Sequence, residues 1–64
     1  MEITINRLSD NYKALLNSKY NIDLGEVKRI QIDKEDIIFH YPLFERRLIG
    51  GLGELEYIKG LVEV

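Results

Sequence analysis

From Val27 to Tyr41 apolar and polar residues alternate around a short charged interruption. Val27-Lys28-Arg29-Ile30-Gln31-Ile32 is followed by Asp33-Lys34-Glu35-Asp36 and then by Ile37-Ile38-Phe39-His40-Tyr41. Two β-branched and aromatic runs flanking a polar turn predict a β-hairpin. Pairing Ile32 with Ile37 sets Ile30 opposite Phe39 and Lys28 opposite Tyr41, because antiparallel partners step in opposite directions. One face then collects Ile30, Ile32, Ile37, Phe39 and Tyr41, and the other carries Arg29, Gln31, Ile38 and His40. A slip of one residue would exchange an apolar face for a mixed one, so the pattern itself selects the register.

Before the hairpin, two periods overlap. Ile3 and Ile5 alternate as in a short strand, whereas Ile5, Leu8, Tyr12, Leu15 and Leu16 form a helical stripe. Ser9, Asp10 and Asn11 each offer a side-chain oxygen to the free N–H groups of a first helical turn. The spacing therefore predicts a helix from about Ser9 to Tyr20, with Tyr12, Leu15, Leu16 and Tyr20 facing inward. Asn21 and Gly25 suit the exit loop, where a left-handed backbone ends the helix, and Ile22 and Leu24 pin that loop to the core.

After the hairpin, Pro42 ends the second strand, having no N–H for a ladder. Residues 43–49 fit either a two-turn helix, with Phe44 and Leu48 stacked, or a third strand. The Gly50-Gly51 pair favours a strand, since it suits a two-residue turn with positive φ. In that second hairpin Ile49 faces Leu52, Arg47 faces Glu54 and Phe44 faces Tyr57, at the cost of Glu45 opposite Glu56. Leu52, Leu55, Ile58 and Leu61 also lie three apart, but Gly60 would weaken a helix by about 1 kcal/mol and could mark a bulge in a strand. The expected fold is α+β: one N-terminal helix packed on a small antiparallel sheet of three to four strands, in a single domain over residues 1–64.

The chain has 64 residues, 45% of them hydrophobic and 31% charged, with a net charge of −2 and no cysteine. That composition supports folding, but a chain this short buries only about 60% of the surface its unfolded form exposes. Neither a disulfide nor a thiolate or imidazole zinc site can add to the core. Self-association can, and a homodimer is expected on this ground. No stretch approaches the roughly 20 apolar residues needed to span a bilayer, and Glu2 follows Met1 where a secretory leader would be basic. The expectation is a cytoplasmic protein without a membrane partner.

Candidate chemistry is sparse. His40 is the one histidine and so the first candidate for acid–base chemistry, but no nucleophile motif accompanies it, and an enzyme is not expected. Asp33, Glu35 and Asp36 are all oxygen donors, yet the spacing of a calcium loop is missing and Lys34 sits among them. Gly50-Gly51-Leu52-Gly53 matches G-x-x-G, the loop that clamps nucleic-acid backbone. Leu52 stands there where a basic residue would help, and Glu54 and Glu56 would repel phosphate. The same stretch lacks the Lys-Ser or Lys-Thr of a P-loop, and no cofactor is implied. Lys28, Arg29, Arg46 and Arg47, with Tyr41, Phe44 and Tyr57 interleaved, could form a stacking and phosphate-binding surface. Adjacent strand residues point to opposite faces, which divides these bases.

The apolar residues outnumber what one sheet face can hide. Ile38, Leu43, Ile49, Ile58 and Val64 are left over once the helix covers the inner face. The expected function is a small non-enzymatic protein-binding module, a regulator or inhibitor of a larger protein, with Ile38, His40, Leu43, Phe44, Arg46, Arg47, Ile49 and Ile58 as the partner-binding residues. The abundance of Ile, Lys and Glu resembles the usage of AT-rich bacteria and their phages, where stand-alone proteins of this size often act by binding a larger protein. The alternative is a small dimeric nucleic-acid-binding protein using its basic residues.

Overall fold

The computed structural model describes residues 1–62. Their fold is α+β, with a four-stranded antiparallel sheet whose inner face is covered by two helices. The hairpin register is the one the alternation selects. Strand β2 (Arg29–Asp33) and strand β3 (Asp36–His40) pair Ile30 with Phe39 and Ile32 with Ile37. Lys34 takes the positive φ, 58°, that the two-residue turn demands. The N-terminus supplies a further strand, β1 (Glu2–Ile3), beside β2. The strand period holds only as far as Ile3, because Ile5 lies in a 3₁₀ turn over Ile5–Arg7, and the helical stripe becomes α-helix only from Asp10.

Helix α1 (Asp10–Tyr20) starts where Ser9 Oγ accepts the Tyr12 N–H at 3.2 Å, and ends at Asn21, which adopts φ 56°. Tyr12 and Leu16 are fully buried against Ile30, Ile37 and Phe39 of the sheet, and Ile22 closes the core beyond the helix end. The left-handed Asn21 lets the Ile22 N–H reach back to the Leu16 carbonyl at 3.0 Å, satisfying a terminal acceptor.

Residues after His40 follow the expectation in part. The chain bends at Pro42 and returns as strand β4 (Glu45–Leu48), paired to β3, so strand rather than helix is correct here. The second hairpin does not form. Gly50, at φ 70°, leads instead into helix α2 (Gly51–Tyr57). The pairs Ile49–Leu52, Arg47–Glu54 and Phe44–Tyr57 are consequently absent. The Leu52, Leu55, Ile58 stripe prevails because its helix buries Leu55 against the inner face, which α1 alone leaves partly open.

Gly60 is not a strand bulge. It follows the end of α2 at a close approach to α1, where a Cβ would collide with Leu55 Cδ1 and lie 3.0 Å from Tyr12 Cβ. From Gly60 the chain runs back beside its first turn. Leu61 bridges to Leu8, and the Val62 N–H donates to the Arg7 carbonyl at 2.7 Å.

The two glycines around α2 should respond in opposite directions to alanine. Gly60→Ala forces the Leu55–Tyr12 contact apart and should lower unfolding free energy by about 1–3 kcal/mol. Gly53 lies within α2, and a methyl group at its Cα would have open space around it, with nothing within 4 Å. Gly53→Ala should therefore raise the unfolding free energy by about 0.5–1 kcal/mol. Urea melts of both variants measure this; equal effects would mean that the C-terminal segment is not helical.

Candidate functional site

The expected partner-binding residues do not form one patch, and the sheet's geometry explains their division. The phase of the ladder is fixed by the Tyr41 N–H, which donates to the Phe44 carbonyl at 2.8 Å. Antiparallel pairs alternate between hydrogen-bonded and non-bonded, so Phe44, Arg46 and Leu48 direct their backbone groups at β3. Glu45 and Arg47 direct theirs away from it. Since β4 is the last strand of the sheet, these groups form an open edge. Among the described residues no further backbone bond reaches them. The opposite edge, β1, has only two residues.

An apolar residue stands at each end of this edge. Leu43 is 94% exposed before β4, and Ile49 is 79% exposed after it. Phe44, 59% exposed, stacks on Tyr41 with ring centroids 4.5 Å apart. This pair, Pro42 and Leu43 border a shallow groove of about 430 Å³ shared with Gly25, Glu26 and Lys28. Leu43 and Ile49 are thus exposed, as expected of the leftover apolar residues, and Phe44 adds an exposed ring between them.

Ile38 is not. It lies on the outer face as the alternation requires, but only 4% of it is exposed. Its cross-strand neighbours are Gln31 and Arg47, whose long side chains cover it. Gln31 Oε1 meets His40 Nε2 at 2.9 Å, and Arg47 is spread across the sheet toward Asp36 at 2.8 Å and Asp33 at 3.2 Å. Ile58 is half-buried and packs against the core at the end of α2. Val64 lies outside the described residues. Tyr57, 88% exposed on α2, stands apart from Phe44 in sequence register and element.

Of the candidate basic residues, Arg29, Arg46 and Arg47 are separated and engaged, whereas Lys28 is exposed beside the groove. Arg46 is on the inner face, with Nη1 donating to the Asn21 carbonyl at 3.4 Å, beside the partially negative end of α1. Arg47 is on the outer face between two aspartates, and Arg29 pairs with Glu2 at 3.1 Å. Gly50 to Gly53 form the start of a seven-residue helix rather than a phosphate-clamping loop. Asp33 and Asp36 both turn onto Arg47, and among the described residues no group of three metal-ligating side chains converges. No helix among the described residues is long and apolar enough to cross a membrane.

Two polar clusters were not visible in the sequence. Asp36 accepts from the Gly50 N–H at 3.0 Å through one oxygen and from Arg47 through the other, tying the entry of α2 to β3 and β4. The Gly50 N–H, then Arg47, hold its carboxyl below the ordinary carboxylate range. Glu54 of α2 accepts from Lys19 at 2.8 Å and from the Tyr20 hydroxyl, joining the two helices. Those bonds, Lys19 first, likewise lower the Glu54 carboxyl. The residues involved are 34 and 35 positions apart, with no local pattern to announce them. Nearby, the Tyr12 hydroxyl is buried without a hydrogen-bond partner among the described residues. Burial, reinforced by the Glu54 carboxylate, raises its pKa well above the usual tyrosine range.

No protein-family model, curated protein or solved structure matches the chain.

Both carboxylates have folded-state pKa values below their ordinary 3.8 and 4.5. The stability they contribute is therefore complete above that range and is lost as pH falls through it. Urea midpoints should drop between about pH 5 and pH 3, and Asp36→Asn or Glu54→Gln should each make the drop shallower. Unchanged slopes in both variants would show that neither cluster stabilises the fold.

Proposed function

We propose that the chain is a small non-enzymatic protein-binding module that engages its partner along the open edge of β4. The observation that supports this is the coincidence of an unpaired strand edge with exposed Leu43, Phe44 and Ile49 at its two ends. Strand addition at such an edge gains affinity from main-chain hydrogen bonds and specificity from the flanking side chains. Proteins usually blunt an open edge, because unpaired N–H and C=O groups template association. Here the edge is four residues long and its ends are apolar.

Nothing among the described residues competes with this reading as chemistry. His40 bonds Gln31 and faces no nucleophile, and Arg46 and Arg47 serve opposite faces of the sheet. A nucleic-acid interface would need these bases on one surface, free to meet phosphates.

A tagged chain should retain a protein from host lysate after nuclease treatment and a high-salt wash, because apolar and main-chain contacts resist screening. The double variant Leu43→Ser/Ile49→Ser should lose that protein while its own stability changes by less than about 1 kcal/mol, both side chains being exposed. Retention by the variant, or release by nuclease together with nucleic acid, would overturn the reading.

A further inference from the structure

We propose that the occupant of the β4 edge is a second copy of this chain, paired antiparallel about a two-fold axis at Arg46, so that two four-stranded sheets become one of eight strands. The inference rests on the protein-binding reading above and names the partner. It follows from the ladder phase. Only Glu45 and Arg47 present backbone groups outward, so an antiparallel self-pairing must form its hydrogen-bonded pairs from these residues. Three two-fold registers satisfy that condition across the strand.

Centring the axis on Glu45 sets Glu45 opposite itself, and centring it on Arg47 sets Arg47 opposite itself. Each puts like charges in directly facing positions. Centring on Arg46 instead sets Glu45 opposite Arg47 of the second copy, twice over, on the outer face. Of the five guanidinium N–H donors, Arg47 uses one toward Asp36 and one toward Asp33, leaving others for the incoming carboxylate. On the inner face the same register sets Phe44 opposite Leu48 of the second copy. Beyond the strand ends it brings Leu43 and Ile49 toward each other.

The register has one unfavourable pair, Arg46 facing Arg46 at the axis. Each of these side chains already leans away toward the Asn21 carbonyl of its own copy, where the end of α1 favours a cation. Among the described residues no other element blocks the approach: β4 is the terminal strand, and α2 packs over β3. A 64-residue chain without cysteine gains from the coupling the core area that its size denies it.

The absence of cysteine makes the register directly readable. In the proposed dimer the two Arg46 Cα atoms form a non-hydrogen-bonded pair about 4.5 Å apart. Equivalent Glu45 or Arg47 positions lie about 7–8 Å or more apart, beyond disulfide reach. Mild oxidation should therefore trap Arg46→Cys as a covalent dimer, and Glu45→Cys and Arg47→Cys at least tenfold less. The unmodified chain should sediment as a dimer. Glu45→Pro, which removes an outward N–H the monomer does not use, should raise the dimer Kd at least tenfold while leaving the circular dichroism spectrum intact.

Trapping at position 45 or 47 in preference to 46 would overturn the register, and a monomer at every concentration would overturn the second copy as occupant. In the monomeric case, capture of another protein that Leu43→Ser/Ile49→Ser abolishes leaves the protein-binding reading standing. Monomer without capture removes both.

Discussion

The inner face of the sheet holds Ile3, Ile30, Ile37 and Phe39, and a single eleven-residue helix is too small to cover it. The second helix is what completes the layer, and its position depends on one contact. Tyr12 of α1, Leu55 of α2 and the backbone at Gly60 meet with no room for a side chain at the glycine. Hydrophobic burial on a chain of this length is barely enough to offset conformational entropy. The close approach is therefore not an ornament of packing. It allows both helices to lie over the same few strands.

Polar contacts reinforce that arrangement from its margins. Glu54 joins α2 to Lys19 and Tyr20 at the end of α1, and Asp36 joins the start of α2 to the sheet. The Leu52 N–H also donates to the Glu35 carbonyl at 3.0 Å, anchoring the helix entry to the β2–β3 turn. The side-chain bonds are exposed or part-buried and individually modest. Their effect is directional, fixing where an otherwise adaptable apolar surface must sit.

How much of this was legible in the sequence depends on the range over which each signal acts. The β2–β3 register is local, since a period of two on either side of a short turn leaves one apolar pairing. Ser9 and Asn21 announce the ends of α1 because a capping oxygen and a left-handed backbone are properties of single residues. Gly50 misleads for the same reason. Its positive φ serves a hairpin turn and the entry to a helix equally well, and only the distant inner face decides between them. Ile38 shows a second limit, as alternation assigns a side chain to a face without saying how far Gln31 and Arg47 extend over it. Leu43 and Ile49 were identifiable as surplus apolar residues, but that they bracket an open edge became visible only with β4 in place.

The bridge between Leu8 and Leu61 joins two segments separated by most of the chain. Closing so long a loop costs entropy before any contact rewards it, whereas the β2–β3 hairpin closes over two residues. By sequence separation the β2–β3 hairpin is therefore the cheapest pairing to close and the clasp of Leu8 by Leu61 the costliest. Emerging from a ribosome, the protein would hold an unfinished core until Leu61 was free, and the turn that follows its first strand would wait for the end of its second helix.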